Sequence, residues 1–366
     1  MTSPSQSTGS SLNPEEIVRH AVAPRPKSPR PIVIIGAGSI IHDAHLPAYA
    51  KAGFPVAALV DKNTERASKL AADNNISLAT DSIAEAIAYA PKDSIFDIAV
   101  PASAIQSILP QLPDGAAVLI QKPMGDTLEQ AEAILDLCKK KHLTAAVNFQ
   151  LRWAPNMLGA AALREAGALG PVHDMEVQVS VHQPWEIWTF LATAPRLEIL
   201  YHSIHYIDLV RSWFGDPKSV YAKTVKSPRT PNLAATKSVI VLDYENSIRA
   251  YIATNHSHAF GPTLQCSYVK WEGMNAALKA QMGVNLNYPI GEPDYLSYID
   301  SSKELRQLPI SGNWFPDAFM GSMGSLQAYI DGTASTLPTR VEDAIQTMRV
   351  VEAAYKSSEH GGEQLL

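Results

Sequence analysis

The chain has 366 residues, 30 Lys and Arg against 36 Asp and Glu for a net charge of -6, and 46% hydrophobic residues. That length supports two domains with ample core, and the acidic balance argues against a nucleic-acid partner or any general polyanion-binding surface. No apolar run approaches the ~18 residues of a membrane span, and the only cysteines, Cys138 and Cys266, fall in different predicted domains, which argues against a disulfide framework and for the cytoplasm.

Residues 1–30 are rich in Ser and Pro and lack the apolar stretch of a signal peptide. They read as a flexible tail with one short helix begun by Asn13 and Pro14. An apolar run over 32–35 then meets Gly36-Ala37-Gly38, and a helical pattern follows over 42–52. A buried strand, a tight turn and a helix N-terminus in that order form a phosphate-binding unit, with the backbone N–H groups of Gly38, Ser39 and Ile40 facing a pyrophosphate. Ile41 stands where a third glycine normally lets helix and strand approach, so the local packing should differ. A second apolar run over 56–60 ends at Asp61, close to the ~20-residue offset of a ribose-binding acid. A carboxylate there repels a 2′-phosphate and favours NAD, while the adjacent Lys62 keeps NADP open.

Helices over 64–74 and 82–89 and a strand over 95–100 continue the alternation of a doubly wound sheet. Pro101 ends that strand at the cofactor edge. The strand over 116–120 delivers Gln121-Lys122-Pro123 to the same edge, where ligands bind in such sheets. A helix over 128–141 and a strand over 144–148 complete a dinucleotide-binding domain assigned to residues 31–153. Strict alternation over 172–181, and strand-like segments near 220–225, 238–242, 247–253 and 264–269, indicate a largely antiparallel sheet with one covered face in residues 154–366. A single long helix over 197–214 interrupts it, and helices over 316–330 and 341–356 close the chain. The open sheet offers a face for a homodimer or homotetramer.

Lys122 either hydrogen-bonds a substrate hydroxyl or, with its pKa lowered, acts as a base; the bland alternative is a solvated rim charge. Tyr201, His205 and Asp208, at i, i+4 and i+7, share one helical face, and Glu198 and His202 pair on a neighbouring stripe. Imidazole suits proton exchange with an alcohol, although helical histidines are more often core residues. Arg152 forks onto a substrate oxygen or bridges the domains. Trp185, Trp188, Trp314 and Phe315 stack on a sugar ring or lie as core beneath a loop. His-x-x-His202/His205, His42/His45 and His256/His258 lack the companions of a zinc site, so no metal is expected.

These residues resemble the glucose–fructose oxidoreductase, inositol dehydrogenase and rhizopine-catabolism (Gfo/Idh/MocA) family over nearly all of residues 31–356. The likeness runs through Gly36-Ala37-Gly38, His45-Leu46-Pro47, Val60-Asp61, Pro101, Gln121-Lys122-Pro123, Asn148 to Arg152, His205-Tyr206-Ile207-Asp208, Trp314 to Asp317 and Leu337-Pro338-Thr339. It implies an α/β fold, with an N-terminal Rossmann domain and a C-terminal α+β domain built on a large, mostly antiparallel open sheet. It also implies Lys122 and His205 at the reacting hydroxyl, with Asp317 beside the substrate. Tyr201 replaces the family's usual Asp four residues before the histidine, and Gln121 replaces the usual glutamate. The function expected is hydride transfer between NAD, or NADP, and a sugar, polyol or related cyclic alcohol. Two alternatives are a glycosidase working through transient oxidation and a dinucleotide-binding sensor without catalysis.

Overall fold

A computed structural model describes residues 13–244 and 247–362. The first sheet has six parallel strands, β1 (Ile32–Ile35), β2 (Val56–Val60), β3 (Leu78–Thr80), β4 (Ile95–Ile98), β5 (Ala117–Ile120) and β6 (Thr144–Val147), in the order β3-β2-β1-β4-β5-β6. Strands β1, β4 and β5 are buried along their whole length, as continuous apolar runs between two helical layers must be. After α1 (Pro14–Arg19), the helices of this half are α2 (Leu46–Ala52), α3 (Thr64–Asp73), α4 (Ile83–Tyr89), α5 (Ala102–Ile108) and α6 (Leu128–Lys140). Asn63, Ser82 and Thr127 each cap the helix that follows through a side-chain oxygen. β3 and α5 were not expected from the sequence; one is three residues long and the other follows directly on Pro101.

Helix α7 (Pro155–Glu165) leads into a second sheet of eight strands. These are β7 (Val172–Ser180), β8 (Ser219–Val225), β9 (Lys237–Asp243), β10 (Arg249–Asn255), β11 (Cys266–Gly273), β12 (Ala276–Gln281), β13 (Tyr295–Asp300) and β14 (Arg306–Leu308). Their order is β14-β13-β12-β11-β7-β10-β9-β8, and only the β7–β10 pair is parallel. Helices α8 (Ile204–Phe214), α9 (Trp314–Ile330) and α10 (Val341–His360) complete the chain. The expected single helix over 197–214 instead opens with a π turn, Ile199–Ser203, ahead of α8. The first π turn of the chain, Ile41–His45 (Ile199–Ser203 being the second), precedes α2 and holds the fully buried Ile41 where a glycine was expected. The wider turn gives that side chain room.

Residues 13–30 differ from the expected flexible tail, whose residues 1–12 lie outside the described residues. Val18 is buried, and the segment after α1 crosses α9, where glycines leave space for it. A Cβ on Gly321 would stand 2.9 Å from Ala23 Cβ, and one on Gly324 would stand 2.5 Å from the Pro24 carbonyl oxygen. Lys27 N donates to Asp331 at 2.6 Å and Arg30 N to Gln327 Oε1 at 2.8 Å.

Of the two expected roles of Arg152, the bridge between the domains is the one its hydrogen bonds fit, rather than the substrate contact. Its Nε and Nη2 donate to Asp208 at 2.6 and 2.7 Å, and Nη2 reaches Asp343 at 3.2 Å. Thr347 donates to Asp208, and Arg211 reaches both Asp343 and Thr347. Burial disfavours the Arg152 charge, but Asp208 and Asp343 outweigh it and hold its pKa above the ordinary value. This fork ties the end of the first sheet to α8 and α10.

Two measurements check these packing assignments. Gly324→Ala in an open helix would stabilise by ~0.5–1 kcal/mol; against Pro24 it should instead lower the urea midpoint, by about 1–3 kcal/mol of stability, and speed proteolysis within residues 13–30. Arg152→Met strands the Asp208 carboxylate and should cost about 3–5 kcal/mol, much of it recovered in the Arg152→Met/Asp208→Leu double variant. A substrate-contact residue would change KM with little effect on stability.

Candidate active site

The cofactor edge is built by the β1 turn. Gly36 has φ +114°, and a Cβ there would lie 2.2 Å from the Ala99 carbonyl oxygen, so only glycine permits this approach of β1 to β4. Beyond its own chain neighbours nothing lies within 4 Å of where a Gly38 Cβ would stand, which leaves the backbone open at the start of the helix. Ser39 is exposed and Ile40 partly so at the same turn. Asp61, just past β2, accepts from Ala37 N at 2.7 Å, and its carboxylate is forked by Arg66 Nη2 at 2.9 and 3.0 Å. Lys62 is exposed beside it. An open glycine turn at a helix start, next to an anchored carboxylate at the second strand, fits the pyrophosphate and ribose of a dinucleotide.

A polar cluster that the sequence did not reveal holds this turn. Asp97, in the middle of β4, is fully buried; its Oδ2 lies 2.7 Å from His45 Nδ1 and accepts from Tyr49 Oη at 2.7 Å. His45 Nε2 faces Asn148 Nδ2 at 3.3 Å. Burial and the Asp97 charge raise the Tyr49 pKa, so its hydroxyl stays a donor. The cluster fastens α2 and the turn before it to β4 and to the residue that follows β6.

Lys122 stands just past β5, before a cis bond to Pro123, and is largely buried. Its Nζ donates to the Tyr201 carbonyl at 2.7 Å, inside the second π turn. Burial lowers its pKa to about 8. His205, 5% exposed, faces Gln150 Nε2 with its own Nε2 at 3.5 Å and lies edge-on to Phe149 and Trp314. Burial and then the Lys122 charge push its pKa well below the usual value, as they do for His202, where His256 and His205 add to the effect. An amine poised near neutrality thus sits among neutral imidazoles, an arrangement suited to stabilising and protonating an oxygen.

The expected face of Tyr201, His205 and Asp208 is divided. Tyr201 Oη donates to Asp126 at 2.9 Å, while Asp208 points to Arg152. Glu198 does not pair with His202: its Oε1 accepts from Ser203 Oγ at 2.6 Å and lies 3.4 Å from His256 Nε2. Trp185 is buried against His202 and His256, which removes it as a sugar-stacking surface. Asp317, expected beside the substrate, has protein partners on both carboxylate oxygens. It accepts from Asn313 N at 3.0 Å, ahead of the first turn of α9, and from Lys51 Nζ at 2.6 Å. Trp314, by contrast, faces His205, held by Asp294, which accepts from its backbone N–H. Burial raises the Asp294 pKa to about 6. A cavity of about 280 Å³, lined by Pro101, Ser103, Asp126, Phe190, Arg196 and Tyr201, opens between the two halves.

Residues 30–149 match the family model described as "Oxidoreductase family, NAD-binding Rossmann fold", and residues 157–269 match the "GFO/IDH/MocA C-terminal domain". A D-apiose dehydrogenase of Rhizobium rhizogenes is 22% identical over 74% of this chain and 79% of its own length. A scyllo-inositol 2-dehydrogenase (NADP(+)) of Bacillus subtilis is 24% identical over 67% of this chain and 70% of its own. An oxidoreductase from Agrobacterium radiobacter, solved in complex with NAD+, L-tartaric acid and magnesium, superposes with a TM-score of 0.74 at 19% identity, covering 92% of this chain and 98% of that one. The two matched models take in more than half of the chain, one on each sheet, and the chain belongs to the Gfo/Idh/MocA family of NAD(P)-dependent oxidoreductases.

Proposed function

We propose that this oxidoreductase interconverts a hydroxyl and a carbonyl on a sugar, polyol or related cyclic alcohol, with the reacting oxygen at Lys122. The observation that carries the reading is the buried Lys122 amine, whose recorded hydrogen bond goes to a backbone carbonyl, beside the neutral imidazoles of His205 and His202. A substrate oxygen replaces the Tyr201 carbonyl at Nζ, the ammonium polarises it, and His205 exchanges the proton. Trp314 and the cavity beside Tyr201 give the carbon skeleton an apolar wall and an entrance. When bound, the nicotinamide supplies or accepts the hydride. Gly36, Gly38, Ser39 and Ile40 hold the pyrophosphate, Asp61 and Lys62 the adenosine ribose, and Pro101 the strand end beneath it. The names of the relatives, an apiose and an inositol dehydrogenase, support the substrate class.

Cys138 and Cys266 are both free thiols, which fits a cytoplasmic location. Among the described residues no helix is long and apolar enough to cross a membrane. Tyr221, Val225, Val239 and Val241 are exposed on β8 and β9 and give the second sheet an apolar outer face, which supports a homodimer or homotetramer. Light scattering that finds only monomer rejects that assembly.

The first test is nicotinamide absorbance while the protein, with NAD or NADP, is offered sugars, polyols, sugar acids and aryl glycosides. A sustained rise with one carbohydrate is the expected result; release of an aglycone without net cofactor reduction would replace the reading with transient oxidation, and silence in both with tight cofactor binding would replace it with a sensor. Lys122→Met should lower kcat by ~10²–10⁴. Carbonyl reduction should fall as pH rises through about 8, where Lys122 loses its proton. Arg66→Ala removes the cation beside Asp61 and should raise KM for NADP relative to NAD by about tenfold, or ~1.4 kcal/mol.

A further inference from the structure

His205 has no carboxylate against it among the described residues, whereas His202 packs on a histidine that does. The His202 ring meets the His256 ring at 4.4 Å between centroids and Trp185 at 4.8 Å. His256 is fully buried at the end of β10, with its Nε2 3.4 Å from Glu198 Oε1. Glu198 is 1% exposed and begins the π turn. Burial opposes its charge, yet His256, Ser203 and Ser238 hold its pKa below the ordinary value. Glu198, His256 and His202 therefore form an ordered row that ends beside Lys122. Glu198 Oε2, both ring nitrogens of His256 and Trp185 Nε1 have no hydrogen-bond partner among the described residues, so Glu198 meets His256 as an ion-pair contact and His256 meets His202 ring to ring. A fold gains nothing from burying such a set, since each unsatisfied polar atom costs stability; functional sites are where such costs are retained.

We propose that His202 is a second proton-exchanging group of this site, with Glu198 and His256 as its positioning residues. This rests on the reading that the reacting oxygen sits at Lys122. In the oxidising direction the substrate O–H bond breaks and an N–H bond forms on the His202 imidazole, while the hydride leaves the carbon for the nicotinamide. The imidazolium charge on His202 is countered across the His256 ring by the buried Glu198 carboxylate, a charge–charge effect that a low-dielectric interior strengthens. The groups facing His202 are Lys122, His205 and His256; those facing Glu198 from other elements are Tyr206 and Tyr355.

The test compares wild type, Glu198→Gln, Glu198→Asp, His256→Gln and His202→Asn. Expected are a tenfold to hundredfold fall in kcat with KM little changed in Glu198→Gln and His256→Gln, partial recovery in Glu198→Asp, and residual turnover through His205 in His202→Asn. In the cofactor-free protein, nitrogen NMR of the imidazoles should show the His202 pKa lower in Glu198→Gln than in wild type. An active wild type whose pH profile and His202 titration are unchanged in folded Glu198→Gln overturns the proposal. A wild type inactive on every carbohydrate overturns the underlying reading instead, and the NMR comparison still decides whether Glu198 sets the His202 proton affinity. Should the Glu198 variants fail to fold, full activity in the partly exposed His202→Asn overturns the proposal alone.

Discussion

The site depends on one buried amine for which the described residues provide no carboxylate. Moving the Lys122 pKa from 10.5 to about 8 corresponds to about 3 kcal/mol against the ammonium. That cost is fully present below pH 8 and is relieved as pH rises from there toward the unfolded value, because the unfolded chain then holds the proton that the folded one has lost. The amine is accommodated by a backbone carbonyl, which satisfies one N–H without fixing the charge state. Burial is the main cause that lowers the pKa of both neighbouring imidazoles, and the charge of this amine adds to it. What the described residues do not place beside this amine is a negative charge, and the proposed reaction is one that would develop it there.

The two π turns decide which side chains share this site. A π turn closes its hydrogen bond over five residues instead of four, so it sets back every later side chain by one position around the axis. In the second turn this brings Ser203 to Glu198, five residues earlier, and turns the spacing of Tyr201, His205 and Asp208 into three separate destinations. Tyr201 reaches across to the first half through Asp126, His205 stays at the amine, and Asp208 enters the core. In the first turn the same widening admits Ile41, and His45 reaches Asp97 beneath the glycines.

Much of the frame was legible in the sequence because it follows from periodicity. The buried parallel strands, the glycine turn, the acid after β2 and the alternating strands β7 to β11 all stand within a few residues of where pattern placed them. Strands β12 to β14 were missed because they are short and interrupted by loops rich in Gly, Pro and Asn, where alternation has too few residues to register. The π turns have no sequence marker, so helical spacing assigned partners wrongly beyond them. Contacts between distant positions were equally invisible. Arg152 and Asp343 are 191 residues apart, and the glycines that receive residues 13–30 read only as poor helix formers. Arg66, one turn into α3, was overlooked because its significance lies in the rotamer that reaches back to Asp61.

The short stretch from Asn148 to Arg152 connects these constraints. Asn148 meets His45 of the glycine-turn cluster, Phe149 and Gln150 face His205, and Arg152 grips Asp208 in the same helix as that histidine. Lys122 is carried by the first sheet and His205 by a helix on the second, so the distance between them is a property of the junction. A bidentate, buried Arg–carboxylate fork fixes orientation as well as separation, which a single hydrogen bond does not. With Arg152 held in this fork, its guanidinium is neutralised by Asp208 and Asp343, whereas the Lys122 amine meets only a backbone carbonyl. The join between the two halves and the orientation of α8, which carries His205, thus rest on the same side chain.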